Sequence, residues 1–137
     1  KLIPFASRDY LAGKAIKVPA DLLQYELIHS DSTLVNWNTW PAWYGVEHHN
    51  KNYYFSFDRS YMSIEAARMG MGIILESNLL ADDYLRQHHL VPVFSDDRSM
   101  AVAAHHFVLP HVNEQKEKVK VFLAWVEKEL SASGFAM

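Results

Sequence analysis

The segment FDRSYMSIEAARMGMGIILES, residues 57–77, predicts a strand end, a helix and a second strand in direct succession. Small and apolar residues recur at helical spacing after Ser60 and form one inward-facing stripe, namely Ile64, Ala66, Ala67 and Met71. Gly70 or Gly72 ends this helix. The apolar run GIILE then predicts a strand buried on both faces, as in a parallel sheet. This succession is typical of an α/β fold.

The flanking segments continue the alternation of strands and helices. Ser7 can cap a short helix after the strand LIPFA, and Pro19 suits a first helical turn. Pro41 lies within a helical tryptophan pattern that Gly45 ends, so we expect a short or kinked helix there. Further strands are predicted at YELIH, YYFSF, LVPVF and MAVAAHHFVLP, and HHNKN (48–52) is predicted as a polar turn. The resulting order, β-α-β-α-β-α-β-α-β-β-α, predicts an α/β sandwich of three layers.

The last predicted element is an amphipathic helix over residues 113–131. Its apolar face comprises Val119, Phe122, Leu123, Val126 and Leu130, and lysines and glutamates cover the other face. We expect this face and the strand MAVAAHHFVLP to pack against a part of the protein that the sequence does not contain, or against a second copy. The sequence therefore predicts a homo-oligomer, with exchange of the terminal helix as one route.

Composition restricts the class of function. The chain has 137 residues, of which 50% are hydrophobic and 21% charged, and this balance fits one globular domain. The net charge of −3 provides no basic surface for nucleic acid. The chain lacks cysteine and any apolar run of membrane-spanning length, so we expect no disulfide and no membrane contact. Its first residues do not have the pattern of a cleavable signal, so we also expect no export. Because it opens on an apolar run without methionine, we expect a fragment of a longer chain.

The turn that leads into the Ser60 helix is the best candidate for a ligand site. Ligands of open α/β sheets bind beyond the carboxyl ends of strands, where the unpaired N–H groups of a helix start suit a carboxylate. Phe57 could line an apolar part of a ligand, and Arg59 could pair with an acid. An equally favoured interpretation is structural, with Asp58 and Ser60 only capping the helix and Arg59 pointing to solvent.

Several stretches together resemble the effector-binding domain of LysR-type transcriptional regulators. They are LIPFAS, PADLL with ELIH, the long segment from FDRS to LVPVF, HHFVLP, and the terminal KVKVFLAWVEKEL. Within this family the chain is most similar to the group of glycine-cleavage and D-serine-deaminase activators. The resemblance implies a periplasmic-binding-protein-like fold of two α/β lobes, with a small effector bound between them.

Under this resemblance the chain carries only part of such a domain. Residues 7–100 would be the second lobe, and residues 101–131 would be a strand and helix that return to the first. The DNA-binding helix-turn-helix and most of the first lobe would be missing, so DNA would be contacted only through the missing N-terminal domain. The resemblance places the effector against seven residues of the second lobe, which are His29, Ser30, Asp31, Phe57, Asp58, Arg59 and Ser60.

Other chemistries are less well supported by the residue pattern. Eight histidines invite a metal interpretation, but the pairs at 48–49, 88–89 and 105–106 do not converge, so we expect no metal and no cofactor. We expect His29 and His105 to be half-buried. The adjacent His29, Ser30 and Asp31 do not form a hydrolase triad, whose members come from separate elements. Tryptophans 37, 40 and 43 are expected to pack on the sheet rather than line a ligand site.

We therefore interpret the sequence as the effector-binding part of a cytoplasmic LysR-type regulator, without enzymatic activity, that senses an amino acid or another small carboxylate. Two alternatives remain at this point. A transport-type periplasmic solute-binding domain would have the same architecture, and a small α/β enzyme would have the same fold class but lacks a convergent catalytic set.

Overall fold

Five strands form one mixed sheet in the structure, a computed structural model that describes residues 1–33, 35–47, 53, 55–103 and 105–135. The strands are β1 (Leu2–Ala6), β2 (Leu27–Ser30), β3 (Phe55–Phe57), β4 (Ile73–Ser77) and β5 (Val91–Pro92). The α-helices are α1 (Arg8–Leu11), α2 (Thr39–Trp43), α3 (Ser60–Arg68), α4 (Asp82–Arg86) and α5 (Glu117–Ala132), and Pro19–Gln24 and His111–Asn113 are 3₁₀ helices. The predicted α/β class is confirmed.

The chain divides into two compact units, which we call unit 1 (Lys1–Ala104) and unit 2 (His105–Met137). Unit 1 contains the whole sheet, with the strand order β3-β2-β4-β1-β5. Strand β2 is parallel to both β3 and β4, whereas β1 is antiparallel to both β4 and β5. The sheet is therefore mixed, and the carboxyl ends of β2, β3 and β4 share one edge.

The sheet separates two apolar cores because neighbouring residues of a strand face opposite ways. Leu27 of β2 contributes to a core with Trp37 and Trp40, beneath α1, α2 and the first 3₁₀ helix. Ile28, the next residue, contributes to a second core with Ile64 and residues of α3 and α4. All five residues of β4 are buried, as predicted for GIILE. The result is three layers, with helices on both faces of the sheet.

The helix predicted from the opening segment forms with the expected inward stripe. Ile64, Ala66 and Ala67 are buried, and Met71 packs against the same core from just beyond the helix. Ser7 caps α1 as predicted, since its Oγ accepts a hydrogen bond of 3.3 Å from the Tyr10 N–H. The helix with Pro41 is only five residues long, which also agrees with the prediction. The turn predicted at 48–52 lies outside the described residues.

Unit 2 contains the second 3₁₀ helix and α5, which has no buried residue. Its aromatic side chains contact one another, with ring centroids 6.5 Å apart for Phe107 and Phe122 and 6.0 Å apart for Phe122 and Trp125. In neither unit is any described helix long and apolar enough to cross a membrane.

Three predictions that concern the fold away from the candidate site are wrong. The strand MAVAAHHFVLP does not form in its described residues: Met100 makes a single bridge to Leu2, and 101–103 and 105–110 have no regular structure. A strand needs a paired neighbour; because the Leu2–Met100 bridge is antiparallel and β1 begins at Leu2, the residues after Met100 run past the start of β1 and have no strand to pair with among the described residues. His105 is exposed rather than half-buried, because it lies in this irregular segment. Trp43 is exposed on α2, while Trp37 and Trp40 are buried as predicted.

Candidate functional site

The parallel pairing of β2 with β3 places most of the predicted ligand-binding residues near one edge of the sheet. In this register His29 lies opposite Ser56 and Ser30 lies opposite Phe57. The pairing extends one step further, since the Asp31 N–H donates a 2.9 Å hydrogen bond to the Phe57 carbonyl. Helix α3 begins three residues after Phe57, so its first turn follows the same edge.

Three serine hydroxyls form a chain from the end of β2 to the start of α3. The Oγ atoms of Ser30 and Ser32 are 2.9 Å apart, and those of Ser32 and Ser60 are 2.8 Å apart. Ser30 is buried, whereas Ser32 is exposed. The structure thus brings together the predicted Ser30 and Ser60 through Ser32, which the sequence prediction missed. In the sequence, the only indication of a role for Ser32 is that a hydroxyl side chain directly follows Asp31.

The predicted His29 and Asp31 form a separate pair. His29 Nε2 lies 3.0 Å from Asp31 Oδ1, and the imidazole stacks on the Tyr53 ring at 4.5 Å with an interplanar angle of 11°. Alternation along β2 places His29 on the same face as Leu27, and Ser30 on the face of Ile28. The sheet therefore separates the imidazole from the Ser30 hydroxyl. This geometry argues against a Ser–His nucleophile pair, as the sequence analysis expected.

The start of α3 differs from the predicted capped helix. Arg59 occupies the N-cap position, and its side chain makes no capping hydrogen bond in the described part of the chain. Ser60 lies one position too late to cap the helix, and its hydroxyl contacts Ser32 instead. The prediction that Asp58 or Ser60 caps α3 is therefore wrong. It follows that helix capping does not account for the hydroxyl of Ser60.

Several donors are available at this helix start. The N–H groups of Met62 and Ser63 both donate to the Arg59 carbonyl. Among the described residues, nothing accepts a hydrogen bond from the N–H groups of Ser60 and Tyr61. Arg59 is 69% exposed in its side chain, and its Nε lies 3.8 Å from Asp58 Oδ2, so this weak surface pair leaves the guanidinium accessible. Together these groups favour an anionic or hydrogen-bond-accepting ligand.

Apolar surface lies beside these donors. Phe57 is half-buried against the core under α3, with its ring centroid 6.4 Å from that of Phe55. Tyr61 and Met62, in the first turn of α3, are exposed. Ser63 is fully buried, and its Oγ has no hydrogen-bond partner within the described part of the chain. The site therefore combines hydroxyl and amide donors with aromatic surface, which suits a small organic acid.

A cavity of about 330 Å³ lies elsewhere, between α3 and α4. Glu65 accepts hydrogen bonds from the Tyr84 hydroxyl (2.7 Å) and from Arg68 Nε (2.8 Å). These two bonds lower the pKa of Glu65, and the bond to the carboxylate raises the pKa of Tyr84. The cavity contains none of the predicted residues. Because the Glu65 carboxylate in this cavity is already hydrogen-bonded to Tyr84 and Arg68, we do not assign the effector to the cavity.

The histidine-rich segments do not form a metal site in the structure as described. No group of three or more His, Asp or Glu side chains within the described ranges is placed to hold a metal ion. His48 and His49 lie outside those ranges.

Comparison with known proteins provides independent information on this module. Residues 1–131 match the protein family described as LysR substrate binding domain. The chain is 34% identical over 120 residues to the HTH-type transcriptional regulator PerR of Escherichia coli K12, covering 87% of this chain and 40% of that protein. It is 31% identical over 134 residues to the glycine cleavage system transcriptional activator of the same strain, covering 96% of this chain and 43% of that protein.

Solved structures give the same picture of the fold. The effector domain of the transcriptional regulator AmpR of Pseudomonas aeruginosa superimposes with a TM-score of 0.56 and 26% identity, over 69% of this chain and 44% of that one. The full-length Vibrio cholerae virulence activator AphB superimposes with a TM-score of 0.55 and 21% identity, over 70% of this chain and 33% of that one. The chain thus spans less than half the length of each of these proteins.

Proposed function

Because this chain belongs to the family of LysR substrate binding domains, we propose that it senses a small carboxylate, most simply an amino acid, for a LysR-type transcriptional regulator. The similarity to a regulator named for the glycine cleavage system supports an amino-acid effector. The names of the similar proteins, all transcriptional regulators, support regulation rather than catalysis or transport.

One observation carries this proposal: the donors that converge at the start of α3. A carboxylate could be bound there by the Ser60 hydroxyl, the nearby Arg59 guanidinium and the N–H groups of Ser60 and Tyr61, which have no hydrogen-bond partner among the described residues. Phe57 would contact the apolar part of the effector, with Asp58 beside it. Ser30, at the end of β2, would complete this half of the site on the α3 side of the sheet. His29 and Asp31 lie on the other face, and they would contact the effector only from beyond the end of the strand.

We also propose the domain arrangement that the sequence implied. Residues 7–100 would form the second lobe, and residues 101–131 would return to a first lobe in the remainder of the protein. The boundary between the compact units at residues 104 and 105 and the absence of buried residues from α5 support this division. Effector binding would shift the population of lobe and subunit arrangements, and a helix-turn-helix elsewhere in the protein would contact DNA.

The proposed regulator is a cytoplasmic homo-oligomer without a cofactor. Phe122 and Trp125 are about half exposed on α5, and covering such side chains in a subunit contact would be favourable. Light scattering across a dilution series of this chain should show a dimer or a larger oligomer. A stable monomer at micromolar concentration would contradict the proposal of self-association.

The effector site can be tested by calorimetric titration of the full-length protein with a panel of amino acids. For an amino acid that binds, Ser60→Ala should weaken binding about ten-fold and Arg59→Ala by a similar factor, because each removes a donor to a charged acceptor. Ser56→Ala is the matched control, since Ser56 is exposed on β3 and outside the hydroxyl chain. Unchanged affinity in both site variants would reject this location.

A further inference from the structure

We propose that the outer face of α3 is an interaction surface for a second copy of this chain, paired antiparallel about a twofold axis at Glu65. This outer face consists of Tyr61, Met62, Glu65, Arg68 and Met69, the last being the C-cap residue. The inference rests on the proposed function only in its self-association. It gives unit 1 a contact surface of its own, separate from the exposed aromatic residues of α5.

The first observation is that apolar side chains are exposed on this side of α3. Four residues of the helix are buried, so its other side is already packed. On the outer face, Tyr61 is 65% exposed and Met69 is 69% exposed, and Met62 is exposed as well. The other large apolar side chains described as exposed in unit 1 belong to three different segments, at Val18, Trp43 and Leu80. A group of Tyr, Met and Arg without Lys has the composition of a protein interface.

The second observation is the symmetric spacing of these residues around Glu65. Tyr61 and Met69 each lie four positions from Glu65, and Met62 and Arg68 each lie three positions from it. At about 100° per residue, all five fall within one sector of the helix roughly 120° wide. In the antiparallel pairing, Tyr61 therefore meets Met69 of the second copy, and Met62 meets Arg68 of the second copy. Each contact occurs twice, which a twofold interface requires.

The contacts that this pairing creates are chemically favourable. A thioether packs well against an aromatic ring, as Met69 would against Tyr61 of the second copy. The aliphatic part of Arg68 can cover Met62 while its guanidinium remains near water. Both contacts remove apolar surface from solvent without burying an unpaired charge.

The third observation is the charge pattern of the outer face. Arg68 Nε donates a 2.8 Å hydrogen bond to Glu65 Oε2, and among the described residues nothing accepts from the two terminal nitrogens of Arg68. In the antiparallel pair, Arg68 of the second copy lies three positions from Glu65, which is about 4.5 Å along the helix axis. Its terminal N–H groups can reach that carboxylate, so two arginines offset the repulsion of the two Glu65 charges at the axis. A parallel pair would place Arg68 beside Arg68 and align the helix dipoles unfavourably.

The size of the contact determines its expected strength. Five side chains on a helix of nine residues bury less than the roughly 1,200 Å² of a stable complex. The contact is therefore expected to be weak and to add to a stronger contact elsewhere in the protein. Chemical cross-linking at high concentration is consequently the suitable measurement.

The experiment uses the 137-residue chain, which has no cysteine of its own. Tyr61→Cys and Met69→Cys are mixed at about 0.5 mM, where weak contacts are populated, and are treated with a short bis-maleimide. The mixture should give at least about five-fold more cross-linked dimer than either variant alone, because each position lies about 12 Å along the axis from its own equivalent. A mixture of Val18→Cys and Met69→Cys is the matched control, since Val18 is an exposed apolar residue of unit 1 outside α3.

Sedimentation velocity over the same concentration range provides a second measurement. Met69→Glu should weaken the contact at least about ten-fold, because it places a carboxylate beside Tyr61 and Glu65 of the second copy. Met69→Leu should stay within about two-fold, because it keeps an apolar side chain of similar size.

The outcomes separate this inference from the proposed self-association. If the chain self-associates but the Tyr61→Cys and Met69→Cys mixture cross-links no more than the Val18→Cys control, the inference is wrong and self-association stands. Equal cross-linking by Tyr61→Cys alone, or unchanged association of Met69→Glu, would also overturn the inference. A chain that remains monomeric at about 0.5 mM would overturn both.

Discussion

Unit 1 and unit 2 both contain amphipathic helices, yet their side chains have very different environments. Helix α3 in unit 1 buries Ile64, Ala66 and Ala67, whereas α5 in unit 2 buries nothing along 16 residues. The apolar periodicity of the two helices is similar in the sequence. The difference shows that periodicity identifies the face that can be buried, and that only a partner surface, which α3 finds on the sheet, determines whether burial occurs.

The largest expected effect comes from comparing two tryptophans. Trp37 in unit 1 is 1% exposed and its indole N–H donates a 2.8 Å bond to the Ile28 carbonyl, whereas Trp125 in unit 2 is 55% exposed. Trp37→Ala should lower the free energy of unfolding by about 3–5 kcal/mol, because it leaves a cavity and removes this hydrogen bond. Trp125→Ala should change the free energy of unfolding by less than about 1 kcal/mol.

Urea unfolding followed by circular dichroism at a single low protein concentration measures both variants. Trp125→Phe serves as the conservative control for unit 2. Equal losses for Trp37→Ala and Trp125→Ala would mean that α5 contributes to the folding of unit 1 after all, and the contrast between the units would fail.

A smaller effect is expected where β4 begins. A Cβ atom at Gly72 would lie 2.5 Å from the Glu26 carbonyl oxygen, which already accepts a 2.8 Å bond from the Ile73 N–H. Gly72→Ala should therefore destabilise the protein by about 2–3 kcal/mol, since two backbone segments must separate. Gly45→Ala, with φ +71° but no described residue within 4 Å of the added Cβ, should cost only about 1 kcal/mol. A thermal melt of each variant measures the loss of stability. Equal losses for Gly72→Ala and Gly45→Ala would contradict a steric clash between the new Cβ at position 72 and the Glu26 carbonyl.

The sequence was sufficient for those features that depend on local pattern. The α/β class, the buried strand β4, the inward stripe of α3, the Ser7 cap and the resemblance to LysR-type regulators are all confirmed. Local pattern failed where distant segments compete for a partner. The strand predicted over 100–110 runs past the start of β1 after its first residue, Met100, and so has nothing to pair with among the described residues. Ser32 became part of the site only through Ser60, 28 positions away.

A pH-dependent effect is expected from the Glu65 cluster of unit 1. The Tyr84 hydroxyl and then Arg68 lower the pKa of Glu65, so the stabilisation they provide is present above the unfolded carboxyl value of about pH 4.3 and is lost as the pH falls below it. Glu65→Gln should be less stable than wild type at pH 7, by at most about 1 kcal/mol because the pair is partly exposed. The difference in the free energy of unfolding between Glu65→Gln and wild type should become smaller toward pH 3.

Urea midpoints at pH 7 and pH 3 give this comparison directly. Glu114→Gln in unit 2 is the control, because its partner His111 is almost fully exposed. If the stability difference between Glu65→Gln and wild type is the same at both pH values, the charge of the Glu65 carboxylate does not contribute to stability.

The smallest expected effect has the opposite sign and comes from the ends of α4 and α5. Both helices end in the same motif, in which the second residue after the C-cap donates back to the last turn: His89 to the Tyr84 carbonyl at 2.9 Å, and Phe135 to the Leu130 carbonyl at 2.8 Å. The residue between must adopt a left-handed conformation, and α5 uses Gly134 there (φ +81°) whereas α4 uses His88 (φ +58°). A side chain in this conformation costs about 1–2 kcal/mol, part of which glycine loses again through the greater entropy of its unfolded chain. His88→Gly should therefore stabilise unit 1 by about 0.5–1 kcal/mol, a rise of a few degrees in Tm.

Gly134→His should leave the unfolding of unit 1 unchanged and affect only the last turn of α5, where no residue is buried. Differential scanning calorimetry of the two single variants measures both effects, and Gln87→Gly, which loosens the same turn without relieving a left-handed residue, should lower the Tm. If Gly134→His shifts the main transition as much as His88→Gly does, the two units unfold as one, and the contrast between them disappears.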